Sequence, residues 1–172
     1  MTLKTIIGTA FFCVASLYLN AAGAAIIHLE ANLDGSQEVP PNQSAGTGFA
    51  AVTLDDATNL LSWDVTWSDL SGPAIAMHFH GPADVGVNAP PIVDLEPISG
   101  LTSPSIGSTT ITASMASDLL DGLWYLNIHT AEFRGGEIRG QVNVIPVPAA
   151  VWLFGSGLIG LIGLARRRKA LK

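Results

Sequence analysis

The sequence predicts an all-β domain, an antiparallel β-sandwich, with an apolar segment at each end of the chain. Two observations support this prediction. Short runs alternate apolar and polar residues with a period of two, and glycine, proline, asparagine and aspartate separate these runs. No long segment keeps the 3.6-residue period of an amphipathic helix.

The alternating runs give seven predicted strands. Each has one apolar face and one polar face, which is typical of antiparallel sheets with one solvated side. The turns between them are predicted at 55–59 and at Asp121-Gly122, and the proline pairs at 40–41 and 90–91 indicate loops or edges. The strands are predicted at 27–33, 47–54, 61–67, 75–80, 106–114, 124–129 and 138–144.

The charge is distributed unevenly along the chain. The 172 residues have a net charge of −6 and a mean hydropathy of +0.41. Residues 25–145 hold all fourteen acidic residues and only two cations, Arg134 and Arg139, so this body has a net charge of −12. The composition excludes a disordered acidic chain and a basic nucleic-acid-binding protein, and we expect no nucleic-acid partner.

The first 24 residues are predicted to be a secretory signal peptide. Lys4 precedes an apolar stretch at 6–19, and Ala22-Gly23-Ala24 is a small-residue cleavage site. An uncleaved membrane anchor is the alternative, although the stretch is short for a span of about 20 residues. The expected partners are the Sec export machinery and signal peptidase. The mature chain would contain no cysteine, since the single Cys13 lies in the signal peptide.

Residues 146–172 form the second apolar segment. An uncharged stretch at 147–165 would be about 28 Å long as a helix, which predicts one transmembrane helix. The basic cluster after it would stay on the cytoplasmic side, so the body would face outward. This layout resembles the PEP-CTERM sorting signal in its VPLPA-CTERM variant, although the glutamate of the PEP form is absent and Val147 replaces a leucine. The motif residues are Pro146, Val147, Pro148, Ala149, Arg166, Arg167 and Arg168.

The sorting resemblance implies a Gram-negative bacterium and an exosortase-like enzyme that removes the tail. The expected location is therefore an inner-membrane-anchored precursor, with transient contact to the inner membrane, and then the cell surface or the extracellular medium. An ordinary C-terminal membrane anchor is the alternative.

Five motifs in the body follow one another in a specific order. They are 33–41 (LDGSQEVPP), 46–50 (GTGFA), 77–83 (MHFHGPA), 126–130 (LNIHT) and 135–142 (GGEIRGQV). Together they resemble the CHRD domain, a module named from chordin and also found in secreted bacterial proteins. The resemblance covers most of the predicted domain at 25–145. It implies an extracellular β-domain, and it supplies no established activity or catalytic residue.

Three histidines in these motifs are candidate metal ligands. His78 and His80 are two residues apart and so project from one face of a strand, and His129 has the same place in a later strand. If these strands pair, the three imidazoles meet and can bind Zn or Cu. Carboxylates in or close to these motifs could complete the ligand shell. They are Asp84, Glu132 and Glu137.

A structural role for the histidines is the alternative, in which they hydrogen-bond the loops at Gly81-Pro82 and Gly135-Gly136. The histidine pattern in a β-sandwich is similar to copper–zinc superoxide dismutase, so the sandwich is expected to be immunoglobulin-like or superoxide-dismutase-like. This likeness concerns the fold and licenses no activity.

The remaining polar and aromatic residues have predicted structural roles. Glu137 and Arg139 project to the same side of a strand and are expected to form an ion pair, and Trp63 and Trp67 are expected in the core.

Two functions follow from the sequence. The first is an exported cell-surface or extracellular-matrix protein with a binding or adhesive, non-enzymatic role toward exopolysaccharide or surface proteins. The alternative is a metal-binding or superoxide-dismutase-like redox protein that uses the three histidines.

Overall fold

The computed structural model describes residues 25–146, so the predicted signal peptide, the transmembrane helix and the sorting residues from Val147 onward lie outside the described residues. Within 25–146, neither helix has the length and apolar character needed to cross a membrane. The elements are β1 (Ile26–Asp34), β2 (Thr47–Asp55), β3 (Leu60–Ser68), β4 (Ala74–His80), β5 (Pro91–Asp94), α1 (Glu96–Ser99), β6 (Ser105–Thr110), α2 (Ala113–Leu120), β7 (Tyr125–Thr130), β8 (Ile138–Gln141) and β9 (Asn143–Val144).

The predicted antiparallel β-architecture is confirmed, but the strands do not divide into two separate sheets. They form one nine-stranded sheet in the order β5-β4-β7-β8-β1-β2-β3-β6, with β9 beside β1. The sheet curls into a half-barrel, and its two halves face each other across the core. Strand β1 joins the halves, since it pairs with β2 along its whole length and with β8 at its end, where Asp34 lies opposite Arg139.

Aromatic and aliphatic side chains fill the space between the two halves. Trp63 on β3 meets Phe79 on β4 edge to face, with 5.9 Å between ring centroids, and Phe79 also contacts Trp124. Each such buried apolar side chain contributes roughly 1.5–3 kcal/mol to folding. The predicted core position of Trp63 is confirmed, and Trp67 is half-buried against the same core.

One half of the sheet has the alternation that the sequence predicts. We call strands β1, β2, β3 and β6 the open half. On β2, Ala50, Val52 and Leu54 are buried while Phe49 and Ala51 are exposed. The face that carries Phe49 and Ala51 is open to solvent, so residues on β2 are alternately buried and exposed, as the alternating sequence predicts.

In the other half of the sheet, the predicted solvent-exposed face is absent from two strands, because both faces are buried. We call strands β4, β5, β7 and β8 the covered half. Every residue of Tyr125–Thr130 and of Ile138–Gln141 is buried. The outer face of these strands is polar in sequence but is covered by loops, including the loop at 81–90, so polar side chains are buried there.

The sequence prediction also missed a helix. The alternation predicts a single strand at 106–114, but the strand ends at Thr110 and helix α2 begins at Ala113. Thr112 caps the helix by accepting a hydrogen bond from the Met115 backbone N–H. The helix has only eight residues and buries two of them, Ala116 and Leu119, so it leaves little periodic signal.

Candidate metal centre

The pairing of β4 with β7 brings the three predicted histidines together. The strands are antiparallel, with His78 opposite Asn127, Ala76 opposite His129 and His80 opposite Tyr125. Met77 and Phe79 point into the core, so His78 and His80 point to the outer, loop-covered face. The strand pairing on which the metal-site hypothesis depends is present, and the three histidines lie together on one face.

The imidazole rings form a triangle of metal-binding size. The ring centroids are 5.5 Å apart for His78 and His80, 5.3 Å for His78 and His129, and 6.1 Å for His80 and His129. One nitrogen from each ring lies within 4.8 Å of the others, and His78 Nδ1 is 3.4 Å from His129 Nε2. A tetrahedral ion with bonds of about 2.0–2.1 Å holds its nitrogen ligands about 3.3 Å apart. One pair already has this spacing.

The second nitrogen of each ring faces an acceptor outside the triangle. His80 Nδ1 donates to the Ala89 carbonyl at 2.9 Å, and His129 Nδ1 donates to the Arg134 carbonyl at 3.1 Å. His78 Nε2 lies 3.8 Å from the Asp94 carboxylate. Because a carbonyl only accepts, the two Nδ1 atoms carry the protons, and each Nε2 presents a lone pair to the centre of the triangle. Metal-binding histidines have this second shell of acceptors.

Burial keeps two of the rings neutral. It lowers the pKa of His80 to about 4, against the hydrogen bond to Ala89 that would raise it, and it also lowers the pKa of His129. His80 Nε2 is buried and has no hydrogen-bond partner among residues 25–146. A buried, neutral and unpartnered imidazole nitrogen is a free ligand atom, and in most folded proteins such atoms are satisfied.

An aromatic and cationic layer lies behind His80. The Tyr125 ring is stacked on His80 at 4.8 Å with an interplanar angle of 9°, and the Arg139 guanidinium lies 3.4 Å from the centroid of the same tyrosine ring. Arg139 is 1% exposed. The sequence pattern did not indicate this stack, because Tyr125 and Arg139 come from different strands.

The expected ion pair between Glu137 and Arg139 is wrong. Arg139 donates to the Val87 carbonyl at 2.8 Å and to Asn88 Oδ1 at 3.0 Å. Glu137 accepts hydrogen bonds from Ser44, Ser71 and Thr130 instead. Burial alone would raise the pKa of Glu137, but these hydrogen bonds hold it below its usual range.

The carboxylates expected to complete the metal shell do not join the histidine triangle. Asp84, Glu132 and Glu137 are absent from the cluster within 25–146, and Glu137 is occupied by its hydroxyl donors. The carboxylate beside the cluster is Asp94, which faces the outer nitrogen of His78 and not the centre of the triangle, because β5 pairs with β4 and sets His78 opposite Asp94. Asp94 had no motif around it in the sequence that could have identified it.

The histidines hydrogen-bond the two predicted loops, but at other residues than those predicted. The expected loops are those at Gly81-Pro82 and Gly135-Gly136, whereas the acceptors are Ala89 and Arg134 in the same two connections. The structural role of the rings is therefore real. It leaves His80 Nε2 without a partner among the described residues, while His78 Nδ1 and His129 Nε2 lie at hydrogen-bond distance of each other, so it does not exclude a metal.

A second buried acid lies beyond the histidine cluster. Glu38 is 5% exposed, and its Oε2 accepts a 3.4 Å hydrogen bond from Asn127 Nδ2. Within the described chain, Glu38 Oε1 and Asn127 Oδ1 have no hydrogen-bond partner. Burial raises the pKa of Glu38 to about 7, although the nearby Arg139 charge opposes the rise. Nothing in the sequence distinguished this glutamate from the exposed acids.

Comparison with known proteins identifies the family but not the activity. The CHRD domain profile matches residues 29–142, which includes all three histidines and most of the described structure. No curated protein matches the chain, and no solved structure matches it either. The match covers well over half of the 172 residues, so the chain belongs to the CHRD domain family.

Proposed function

We propose that this domain binds a transition-metal ion of the zinc and copper class through three imidazoles. The ligand atoms are His78 Nδ1, His80 Nε2 and His129 Nε2. The observation that carries the proposal is the arrangement of the outer nitrogens, each of which faces an oxygen acceptor while the inner nitrogens converge within 4.8 Å.

The ligand chemistry limits the choice of metal. Three neutral imidazoles suit zinc, copper and nickel, and they are poor ligands for calcium or magnesium, which prefer oxygen. Among divalent ions of this group, copper binds nitrogen sites most tightly. Three protein ligands leave one coordination position for water or for a group from a partner. We propose a binding role for this metal, and redox turnover at the open position is tested separately.

We also propose that the domain works outside the cytoplasm of a bacterium. The signal-peptide pattern at 1–24 and the tail at 146–172 support export through the Sec machinery and later sorting by an exosortase-like enzyme. A net charge of −12 on residues 25–145 suits a solvated acidic domain at the cell surface or in an extracellular matrix. Mass spectrometry of the exported form tests the sorting step, since retention of residues 149–172 would reject tail removal.

Titration calorimetry of the purified full-length protein with Zn²⁺ and with Cu²⁺ tests the metal site. We expect one equivalent to bind the wild type, with the affinity lowered at least about 100-fold in the His78→Ala/His80→Ala double variant. His28→Ala is the matched control, because His28 is exposed on β1 in the open half. Absence of binding by the wild type, or equal binding by the double variant, would reject the site.

A superoxide dismutation assay on the copper-loaded protein separates binding from redox function. Turnover that disappears in the double variant would replace the non-enzymatic proposal with the redox alternative. Copper binding without turnover supports the binding role.

A further inference from the structure

Three planar groups lie in a row at the edge of the histidine cluster. Arg139 lies 3.4 Å from the Tyr125 ring centroid, and Tyr125 is stacked on His80 at 4.8 Å. Tyr125 and Arg139 come from neighbouring strands of the covered half, with Tyr125 opposite Gln141 and Asn127 opposite Arg139. The stack therefore fixes the plane of the His80 ring relative to the sheet.

One backbone unit joins this stack to the ligand. The Ala89 carbonyl accepts from His80 Nδ1 at 2.9 Å and also from the Tyr125 hydroxyl at 3.1 Å. The Ala89 N–H lies 3.1 Å from the same hydroxyl, which can accept from it. The tyrosine thus holds the peptide that determines which His80 nitrogen carries the proton.

Arg139 holds the same loop two residues earlier. Its guanidinium donates to the Val87 carbonyl at 2.8 Å and to Asn88 Oδ1 at 3.0 Å, and Asn88 in turn donates to the Val39 carbonyl. Burying a guanidinium without an ion pair is unfavourable, and within residues 25–146 Arg139 forms no ion pair. Among the described residues, the hydrogen bonds of the Arg139 side chain go to the loop at 81–90, and we infer that placing this loop is the reason for its burial.

We propose that Tyr125 and Arg139 are positioning residues, which hold His80 with its Nε2 lone pair directed at His78 and His129. Tyr125 acts through the ring stack and Ala89, and Arg139 acts through Tyr125 and the loop. Neither residue is a ligand. Their effect on metal affinity rests on the proposed metal site, whereas their effect on the His80 ring is present without metal.

The variants Tyr125→Phe and Arg139→Met test this role separately. Tyr125→Phe keeps the ring and removes the hydroxyl that holds Ala89, and Arg139→Met keeps a long side chain and removes the loop hydrogen bonds. We expect Zn²⁺ affinity to fall about 10–100-fold in Arg139→Met and less in Tyr125→Phe, the range typical of groups that orient metal ligands. Arg139→Lys retains the charge with fewer donors and should fall between the wild type and Arg139→Met. Ser108→Ala, exposed on β6, is the control.

Histidine ¹⁵N NMR of the metal-free protein gives the readout that general destabilisation would not produce. In the wild type we expect His80 as the single tautomer protonated on Nδ1, and in both variants a mixture of tautomers while His129 keeps its wild-type signals. Tyr125→Phe is nearly isosteric, so it keeps the test valid if Arg139→Met fails to fold. An unchanged His80 tautomer in Tyr125→Phe overturns the positioning role. Lack of metal binding by the wild type overturns the metal site alone.

Discussion

The open half and the covered half of the sheet use the same period-two sequence pattern for different purposes. In the open half, most polar side chains of β2 and β3 are exposed or partly exposed to solvent. In the covered half, the loops bury the polar face, so histidine, asparagine, arginine and glutamate must find partners inside the protein. An unpaired polar group destabilises the fold more when it is buried than when it is exposed. Substitutions in the covered half should therefore lower stability more than substitutions on the exposed face of the open half.

Two buried acids that lie against the covered half differ in how well they are hydrogen-bonded. Glu137 is fully hydrogen-bonded by three hydroxyl side chains and one backbone N–H, whereas Glu38 has a single weak side-chain hydrogen bond from Asn127. The pKa of Glu137 is lowered and that of Glu38 is raised to about 7. Glu137 links the loops that carry Ser44 and Ser71 to β7 through these hydrogen bonds, and we call it the Glu137 anchor. Glu38 is buried with one carboxylate oxygen that has no partner among the described residues.

The largest predicted effect is the loss of the Glu137 anchor. Glu137→Ala removes a buried carboxylate that accepts four hydrogen bonds and leaves the buried Thr130 hydroxyl without this acceptor. We therefore expect the free energy of unfolding to fall by about 3–5 kcal/mol. Urea-induced unfolding followed by tryptophan fluorescence measures this. Asp64→Ala is the matched control on the exposed face of β3 and should change stability by no more than about 0.5 kcal/mol. Similar losses in the two variants would contradict the distinction between the halves.

A pair of adjacent glycines gives the next prediction. Gly136 has φ +136°, and a Cβ there would lie 2.5 Å from Glu38 Oε1 and from Asn127 Nδ2. At its neighbour Gly135, a Cβ would have no atom of the described residues within 4 Å. We expect Gly136→Ala to lower the free energy of unfolding by roughly 2–4 kcal/mol, through backbone strain and overpacking.

The control variant for this prediction is Gly135→Ala, which should be neutral or slightly stabilising because alanine restricts the unfolded chain. Thermal unfolding of the two single variants provides the comparison. A Gly136→Ala variant that melts at the wild-type temperature would contradict the close packing of Gly136 against Glu38 and Asn127.

The difference between the halves also explains what the sequence predicted well. Strands β1, β2 and β3 follow the predicted alternation because solvent on one face makes burial a direct reflection of residue type. The histidine triangle was predictable because strand geometry alone sets the two-residue spacing and one strand pairing completes it. These features depend on short-range periodicity and on a single antiparallel contact.

The loops that bury the outer face of the covered half could not be predicted from sequence periodicity. The positions of Ala89 and Arg134 depend on how irregular loops return to the sheet, and irregular loops have no sequence period. Asp94 lies in the four-residue strand β5, which is too short to give a clear alternating pattern. The hydrogen-bond partners of the Arg139 side chain are one backbone carbonyl and one side-chain amide oxygen, which no charge pattern indicates. Opposite charge and a shared strand face therefore predicted an ion pair between Arg139 and Glu137 that the structure does not contain.

The smallest predicted effect concerns the pH dependence of stability. The pKa of Glu38 is about 7 in the folded protein against an ordinary value of 4.5, so between these values the native state keeps a proton that the unfolded chain has released. Stability attributable to Glu38 is therefore present below about pH 4.5 and is lost as the pH rises toward and through 7. In the covered half this group faces the Arg139 charge and Asn127.

Glu38→Gln cannot ionise, so it should remove this loss. Between about pH 5 and pH 8, the wild type without metal should lose on the order of 1–2 kcal/mol more stability than Glu38→Gln, measured by urea unfolding at each pH. Groups that titrate in both proteins cancel in this difference. Glu30→Gln, on the outer face of β1 in the open half, should keep the wild-type slope. A Glu38→Gln slope equal to that of the wild type would mean that the Glu38 carboxyl titrates like an exposed acid, and that the covered half admits water to it.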